Sequence, residues 1–101
     1  MSRTRLAMAA AVGSHQGPWI MANGHDSAIV TVYGLGPDTS LVLEIEQRNG
    51  LSNFVSLGVG RAKIREMQTC KRYRVVKSAP PGDTVPTGVE LEYEGKAHAT
   101  H

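Results

Sequence analysis

Short runs in which apolar and polar residues alternate constrain the fold of this chain more than any other feature of its sequence. The clearest run is TGVELEYE, residues 87–94, where Val89, Leu91 and Tyr93 alternate with three glutamates. A period of two residues is typical of a β-strand that buries one face, because successive side chains point to opposite sides of a strand. The run therefore predicts a strand with an apolar inner face.

Five more segments predict strands, and residues that favour turns separate them. We find neither a long segment with the 3.6-residue period of a helix nor an internal repeat. At 101 residues, the chain has the size of one domain. These features predict an all-β fold, a small antiparallel β-sandwich or barrel-like domain of about six to seven strands. The five segments are AIVTVYG (28–34), LVLEIEQ (41–47), LSNFVSL (51–57), AKIREM (62–67) and RYRVVKS (72–78).

A hairpin is predicted at Asn49-Gly50, which follows the run LVLEIEQ. Asn-Gly favours a two-residue turn, because both central residues of a type I′ turn need positive φ. Such a turn would set Ile45 opposite Phe54. The side chains left on the outer side of the hairpin would include those of Val42, Val55 and Leu57. That apolar outer side would need cover, for example from another molecule. A longer loop would instead turn the second strand over, and the sequence leaves both arrangements open.

In the segment 72–78, Tyr73 and Val75 are expected to point inward and the arginines outward. If this segment paired with 87–94, its arginines would lie opposite the outward glutamates of that strand. Cross-strand pairs of opposite charge contribute roughly 0.2–1 kcal/mol each. This pairing would balance the basic residues of one strand with the acidic residues of the next.

The first 24 residues show no strand alternation. We expect them to form an extended N-terminal arm, with a short helical turn over the apolar run 6–12. Trp19, which follows Gly17-Pro18, would anchor this arm by burying its large ring against the domain. The predicted division of the chain is therefore an arm at residues 1–24, a β-sandwich domain at 25–95 and a polar tail at 96–101.

Two features of composition bear on the cellular location. No apolar run approaches the ~20 residues that a membrane-spanning helix needs. The run at 6–12 is short and rich in alanine, so we expect no secretion signal. Cys70 is the single cysteine, which excludes an intrachain disulfide and fits a reducing compartment. We expect it to be a buried apolar residue rather than a nucleophile.

The sequence contains no set of residues that predicts catalysis or metal binding. His25, Asp26 and Ser27 have the side chains of a hydrolytic triad, but adjacent residues of a strand point in different directions and cannot align as one. His98 and His101 lie in the polar tail, without the four ligands of a structural zinc site. We therefore expect a protein that is not an enzyme and that uses no metal or cofactor.

Two further features could serve binding, and each also has a structural explanation. Residues 61–77 carry seven basic side chains, a pattern that can attract phosphates. The net charge is only +2, however, and the stretch lacks the aromatic residues that stack on bases, so a nucleic-acid partner is not expected. Trp19 could stack on a sugar. A glycan-binding module would expose Trp19 on a concave face, whereas a structural role would pack it.

The region from Ala28 to Gly95 resembles small β-sandwich structural proteins of tailed bacteriophages. The resemblance lies in AIVTVYG, in LVLEIEQRNG with FVSLG, and in YRVVKSAPPGDT followed by VELEYEG. Phage capsid decoration (cement) proteins, head fibres and neck or tail proteins look similar in this order of strands and in the hairpin. Their work is done by surfaces, so the resemblance assigns no role to an individual residue.

The resemblance implies a non-enzymatic virion protein that binds and stabilises the capsid and is assembled in the host cytoplasm. Its partners would be the major capsid protein or other virion proteins, and further copies of itself in a homo-oligomer, often a trimer. A neck, tail or head-fibre component is the alternative within this class, and a glycan-binding module is the alternative outside it. The residues expected at contacts are Leu6, Val12, Trp19, Val42, Val55 and Leu57.

Overall fold

Two antiparallel sheets form the structure. The computed structural model describes the backbone of residues 4–22 and 24–97 and the side chains of residues 12–22 and 24–95. This part of the chain contains nine strands and one short 3₁₀ turn at Met67–Thr69. The strands are β1 (Thr4–Ala11), β2 (His15–Gln16), β3 (Ile20–Met21), β4 (His25–Tyr33), β5 (Ser40–Gln47), β6 (Ser52–Leu57), β7 (Gly60–Arg65), β8 (Cys70–Ser78) and β9 (Thr87–Ala97). The predicted all-β sandwich is confirmed, and each of the six predicted strands is present.

The strand order places β6 and β7 next to each other at one side of the sandwich. The first sheet has the order β1-β9-β4-β7, and the second has the order β2-β8-β5-β6, with β3 also paired to β8. β6 and β7 therefore end their respective sheets, and only residues 58–59 connect them. The chain crosses between the sheets again through the 3₁₀ turn and through the proline-containing segment 79–86.

Apolar side chains from the inner faces of both sheets fill the core. In the core, the hydroxyl groups of Tyr73 and Tyr93, which belong to different sheets, lie 2.9 Å apart and link them through a buried hydrogen bond. The side chains predicted to point inward on β8 and β9 are all buried, and they are Tyr73, Val75, Val89, Leu91 and Tyr93. On β4 and β5, the buried faces are those of Val30 and Val32 and of Leu41, Leu43 and Ile45.

The β5–β6 hairpin has the three-residue loop 48–50 instead of a two-residue turn. The N–H of Gln47 donates to the Leu51 carbonyl over 2.8 Å, and the N–H of Gly50 donates to the Gln47 carbonyl over 2.9 Å. Gly50 has φ of 90°, the left-handed conformation that such loops place before the second strand. The loop also contacts the 3₁₀ turn, since the Arg48 N–H donates to the Thr69 carbonyl over 3.1 Å.

The extra loop residue turns β6 over relative to the two-residue register. Leu43 lies opposite Val55 and Leu41 lies opposite Leu57, so Val55 and Leu57 face the core. Their predicted place on the outer side of the hairpin is wrong, and the longer loop, left open by the sequence, is the arrangement observed. The physical reason is that a shift of one residue moves every side chain of a strand to the other face, and here it adds two apolar residues to the core.

Residues 72–78 and 87–94, whose pairing the sequence left as one possibility, lie in different sheets. β8 lies beside β5 in the second sheet, and β9 lies between β1 and β4 in the first. The arginines of β8 instead pair with glutamates of β5: Arg72 Nε lies 2.5 Å from Glu46 Oε2, and Arg74 Nε lies 2.7 Å from Glu44 Oε1. Both β5 and β9 carry alternating glutamates, so this charge pattern suited either neighbour.

The segment predicted as an arm is extended, but its strands belong to the two sheets. β1 pairs with β9, from Thr4 opposite Glu92 to Ala11 opposite Thr87, and β2 and β3 both pair with β8. The residues expected to form a helical turn lie in β1 as far as Ala11. Of the predicted tail, residues 96–97 continue β9, and residues 98–101 lie outside the described part of the chain.

Candidate functional site

The side of the sandwich where β6 and β7 end their sheets carries exposed apolar side chains. Leu51, Phe54 and Val59 are 66%, 64% and 65% exposed. They lie just before β6, in its middle and in the connection to β7. Large apolar side chains that remain in water and cluster along one element are typical of a contact surface. We name residues 51–59 the open edge.

The open edge also presents backbone groups that no strand within the described residues covers. Hydrogen bonds in an antiparallel pair alternate, so every second residue directs its N–H and C=O toward the neighbouring strand. The Gln47–Leu51 hydrogen bond and the regular register that follows it place the groups of residues 51, 53, 55 and 57 toward β5. Ser52, Phe54 and Ser56 therefore direct their N–H and C=O groups outward.

The two exposed end strands differ in charge. Residues 49–60 contain no charged side chain. β7 carries Arg61, Lys63 and Arg65, and all three are exposed. Lys63 Nζ lies 3.4 Å from Glu94 Oε1. Charged side chains, and lysine in particular, protect edge strands from pairing with other chains. β7 has this protection and β6 does not.

A groove of about 390 Å³ lies between these two end strands. Its apolar lining is supplied by Ile45, Leu51, Val55 and Ile64, and its polar residues include the charged Arg65 and Glu66. Ile45 and Ile64 are buried, and Val55 is half-buried, so the core of the sandwich reaches solvent here. A groove of this kind can accept an apolar side chain of a partner.

Among the residues predicted at contacts, those with described side chains lie on different parts of the sandwich. Val12 is 56% exposed, whereas Leu57 is 7% exposed and belongs to the core, which leaves little of it for a contact. Val55 points inward and lines the groove. Val42 is half-buried on the opposite, outer face, where it lies across from Ser56 and Val76. Leu6 lies in β1, and its side chain is outside the described part.

Phe54 is the residue that the sequence analysis missed. The two-residue turn assigned it to the inner face, opposite Ile45, whereas it lies on the outer face opposite Glu44. One signal in the sequence could have found this surface: the absence of charge from Asn49 to Gly60, across a predicted strand and both its flanks.

Trp19 is packed beneath two arginines on the outer face of the second sheet. The guanidinium carbons of Arg72 and Arg74 lie 4.1 Å and 4.3 Å from the centre of its ring. Both arginines are also paired with glutamates, which holds them over the ring. Cation–π contacts of this kind contribute about 0.5–2 kcal/mol each. The ring is half-buried and two guanidinium groups lie against it. This packing is the arrangement expected for a structural tryptophan.

The opposite side of the sandwich is closed by a buried ion pair. Lys77 Nζ lies 2.9 Å from Asp83 Oδ2 and donates to the Val85 carbonyl over 3.0 Å. The Gly13 N–H donates to the same Asp83 oxygen over 2.8 Å. Hydrogen bonds from Lys77 and then from Gly13 hold the pKa of the Asp83 carboxyl below its usual value. The pair therefore joins β8, the segment after it and the N-terminal strands.

The side chains of the three residues considered for catalysis differ in their burial along one strand. His25, Asp26 and Ser27 are consecutive in β4, where Asp26 is exposed and Ser27 is buried. The His25 ring stacks on Tyr93, with the ring centres 4.7 Å apart. Cys70 is buried, as predicted, and burial raises the pKa of its thiol to about 11, with a further contribution from Glu46. This thiol stays protonated near neutral pH.

The basic stretch 61–77 is divided between the two sheets. Arg61, Lys63 and Arg65 lie on β7, whereas Arg72, Arg74 and Lys77 lie on β8 and are paired with acidic residues. Among the described side chains, no group of three or more His, Cys, Asp or Glu residues is placed to hold a metal ion. Within the described residues, no helix is long and apolar enough to span a membrane.

Comparison with known proteins identifies a structural relative of the fold. No protein-family model matches this sequence, and no curated protein sequence matches it. Among solved structures, the fold is similar to that of the SPBc2 prophage-derived protein YomS, with a TM-score of 0.70, 92% of each chain covered and 10% sequence identity. The two chains thus share a fold over nearly their whole length, and at this identity the likeness concerns the fold alone.

Proposed function

We propose that this protein is a non-enzymatic structural component of a phage virion, and more specifically a cement or decoration protein that binds and stabilises the capsid. The observation that carries the proposal is the fold shared over 92% of both chains with a prophage-derived protein. The resemblance of residues 28–95 to phage structural proteins supports the same class. The open edge supplies a surface through which such a protein could act without an active site.

In this mechanism, Leu51, Val59 and the groove beside β6 contact the major capsid protein or another virion protein. The two side chains are removed from water on binding, and each buried apolar side chain contributes roughly 1.5–3 kcal/mol when fully covered. Binding by many copies on a symmetric shell is then stronger than binding by one. A copy that contacts a bound neighbour meets its own site at high effective concentration. The N-terminal strands support the sandwich in this mechanism and are not an arm that reaches a neighbour.

The glycan-binding alternative is less well supported. It requires an exposed Trp19 on a concave face, whereas two guanidinium groups cover the ring. A neck, tail or head-fibre component would also bind by burying apolar surface against its neighbours. Its location within the particle would distinguish it from a cement protein.

The test is made on particles of the phage whose genome encodes this chain. We expect mass spectrometry of purified particles to find the protein in many copies, and particles lacking its gene to release DNA at a lower temperature than intact ones. Absence of the protein from purified particles would contradict the virion role. A few copies located at one vertex or on the tail would support a neck or tail component instead.

A further inference from the structure

The open edge of β6 presents a row of backbone groups that a second β-strand can pair with. Three residues, Ser52, Phe54 and Ser56, direct backbone N–H and C=O groups outward in a row. A row of alternating donors and acceptors is matched by the edge of a partner strand.

Charge argues that this partner strand is neutral. β6 and its flanks have no charged residue from 49 to 60, so it offers no counter-charge to a charged strand. The other exposed end strand, β7, carries Arg61, Lys63 and Arg65. If β7 of a second copy paired with β6, these cations would lie next to Phe54. A second β6 brings no charge to be desolvated.

The sequence of β6 matches itself in one antiparallel register. Outward-directed residues must face outward-directed residues for their hydrogen bonds to form. Centring the pair on Phe54 satisfies this condition and overlaps the whole of residues 51–57. On the outer face, β6 reads Ser52, Phe54, Ser56, which is the same in both directions, so each serine would lie opposite a serine and the two Phe54 rings would meet.

We infer that β6 is a self-pairing edge, at which two copies of this chain form an antiparallel β6–β6 pair around a two-fold axis at Phe54. The second sheets of the two copies then form one continuous sheet. Facing Phe54 side chains add a cross-strand aromatic contact to the strand pairing. This arrangement is a dimer, in contrast to the trimer that the family resemblance favours, and it goes beyond the proposed virion role.

The expected strength of the dimer follows from its size. One strand pair with a single aromatic contact is small beside standard interfaces of about 1,200–2,000 Å². We therefore expect dimers that dissociate on dilution of the pure protein. Dense packing on a particle surface would favour pairing.

The register is tested with two cysteine variants of the full chain, Ser52→Cys and Ser56→Cys. In the inferred register, residue 52 faces residue 56 of the second copy with about 5.5 Å between Cα atoms, a distance that a disulfide spans. Residue 52 lies four residues along the strand from residue 52 of the second copy, about 13 Å away. The native Cys70 is present in both variants and is buried, so any cross-linking through it would be the same in each.

We expect a mixture of the two variants to form a disulfide-linked dimer under mild oxidation, and either variant alone to form far less. Equal cross-linking by either variant alone would contradict the register. Failure of the mixture to cross-link would contradict the pairing itself.

A second experiment tests the edge with a matched pair of lysine variants. Phe54→Lys places two like charges opposite each other at the two-fold axis. Met21→Lys changes a side chain of similar exposure, 60% against 64%, on β3 at the other end of the same sheet. In sedimentation over a concentration series, we expect Phe54→Lys to raise the dimer dissociation constant at least about tenfold, a change of about 1.4 kcal/mol. Met21→Lys should leave it unchanged.

Both variants should keep the wild-type circular dichroism spectrum and unfolding temperature, because each changed side chain is exposed. A wild-type protein that stays monomeric at the highest concentration, or that sediments as a trimer, would overturn the inference. These measurements need only the purified protein, so they are independent of whether the chain is found in virions.

Discussion

Asp83 joins three parts of the chain through one carboxylate. It accepts hydrogen bonds from the Lys77 ammonium, the Gly13 N–H and the Val85 N–H. The Lys77 side chain is fully buried and that of Asp83 is 2% exposed. A buried ammonium group is tolerated only when a counter-charge and hydrogen-bond acceptors surround it. The Asp83 carboxylate therefore allows Lys77 to be buried in the sandwich.

The lowered pKa of Asp83 predicts a specific dependence of stability on pH. A carboxyl whose pKa is lower in the folded state stabilises the fold above its unfolded pKa of about 3.9, and this contribution is lost as the pH falls through the folded pKa. We expect the stability advantage of the wild type over Asp83→Asn to be constant from neutral pH to about pH 5 and to shrink at lower pH. Denaturant unfolding, followed by circular dichroism between pH 2 and 7, measures it.

Asp38→Asn is the control for this experiment, because Asp38 is an exposed turn residue with φ of 55° that asparagine adopts readily. Its stability should follow that of the wild type more closely over the same range. An advantage over Asp83→Asn that stays constant down to pH 2 would contradict the assigned role of the Asp83 carboxylate.

Among the elements, the β5–β6 hairpin has the largest effect on the surface. Its third loop residue, Gly50, adopts φ of 90° and allows the strand that follows to turn Val55 and Leu57 toward the core. The same rotation exposes Phe54. The loop conformation therefore sets both the packing of the core and the composition of the open edge.

Two glycine substitutions test the loop conformation. A Cβ added at Gly50 or at Gly58 would meet no atom within 4 Å, but only Gly50 has a positive φ. Left-handed backbone costs a residue with a Cβ roughly 1–2 kcal/mol. We expect Gly50→Ala to lower the free energy of unfolding by about that amount, and Gly58→Ala to change it little. Urea unfolding curves give both values, and equal losses in the two variants would show that backbone conformation at Gly50 is not the cause.

For the molecule as a whole, the N-terminal segment is part of the sandwich. β1 covers the outer edge of β9, and β2 covers β8. Gly13 supplies one of the hydrogen bonds that hold Asp83. Removing this segment would expose the edges of two central strands and weaken the support of the buried ion pair.

Deletion of residues 1–18 is therefore expected to destabilise the isolated protein, with a lower unfolding temperature or loss of the folded circular dichroism spectrum. Val12→Ser, which changes an exposed side chain and keeps β1, should unfold near the wild-type temperature. A deleted chain as stable as the wild type would show that β1 and β2 are dispensable, as expected of an arm.

The inner faces of β8 and β9 followed from the order of the residues alone. Val89, Leu91 and Tyr93 alternate with glutamates, and whichever strand lies beside them, burial of one face is the only way to remove these three side chains from water. The local pattern also placed a hairpin at Asn49-Gly50, without its loop length, and predicted the burial of Cys70. It identified no active site, and the surface it favoured included residues that lie in the core.

Strand partners, hairpin register and edges depended on the packing of the entire chain. Every residue except proline offers the same backbone N–H and C=O groups for strand pairing. The residue pattern therefore could not predict that β9 would pair with the alanine-rich β1, or that β8 would pair with β5 and its glutamates. One additional residue in the loop at Gly50 then exchanged Phe54 for Val55 on the inner face. Because that choice depends on how the finished core is filled, the open edge emerges only when both sheets are in place.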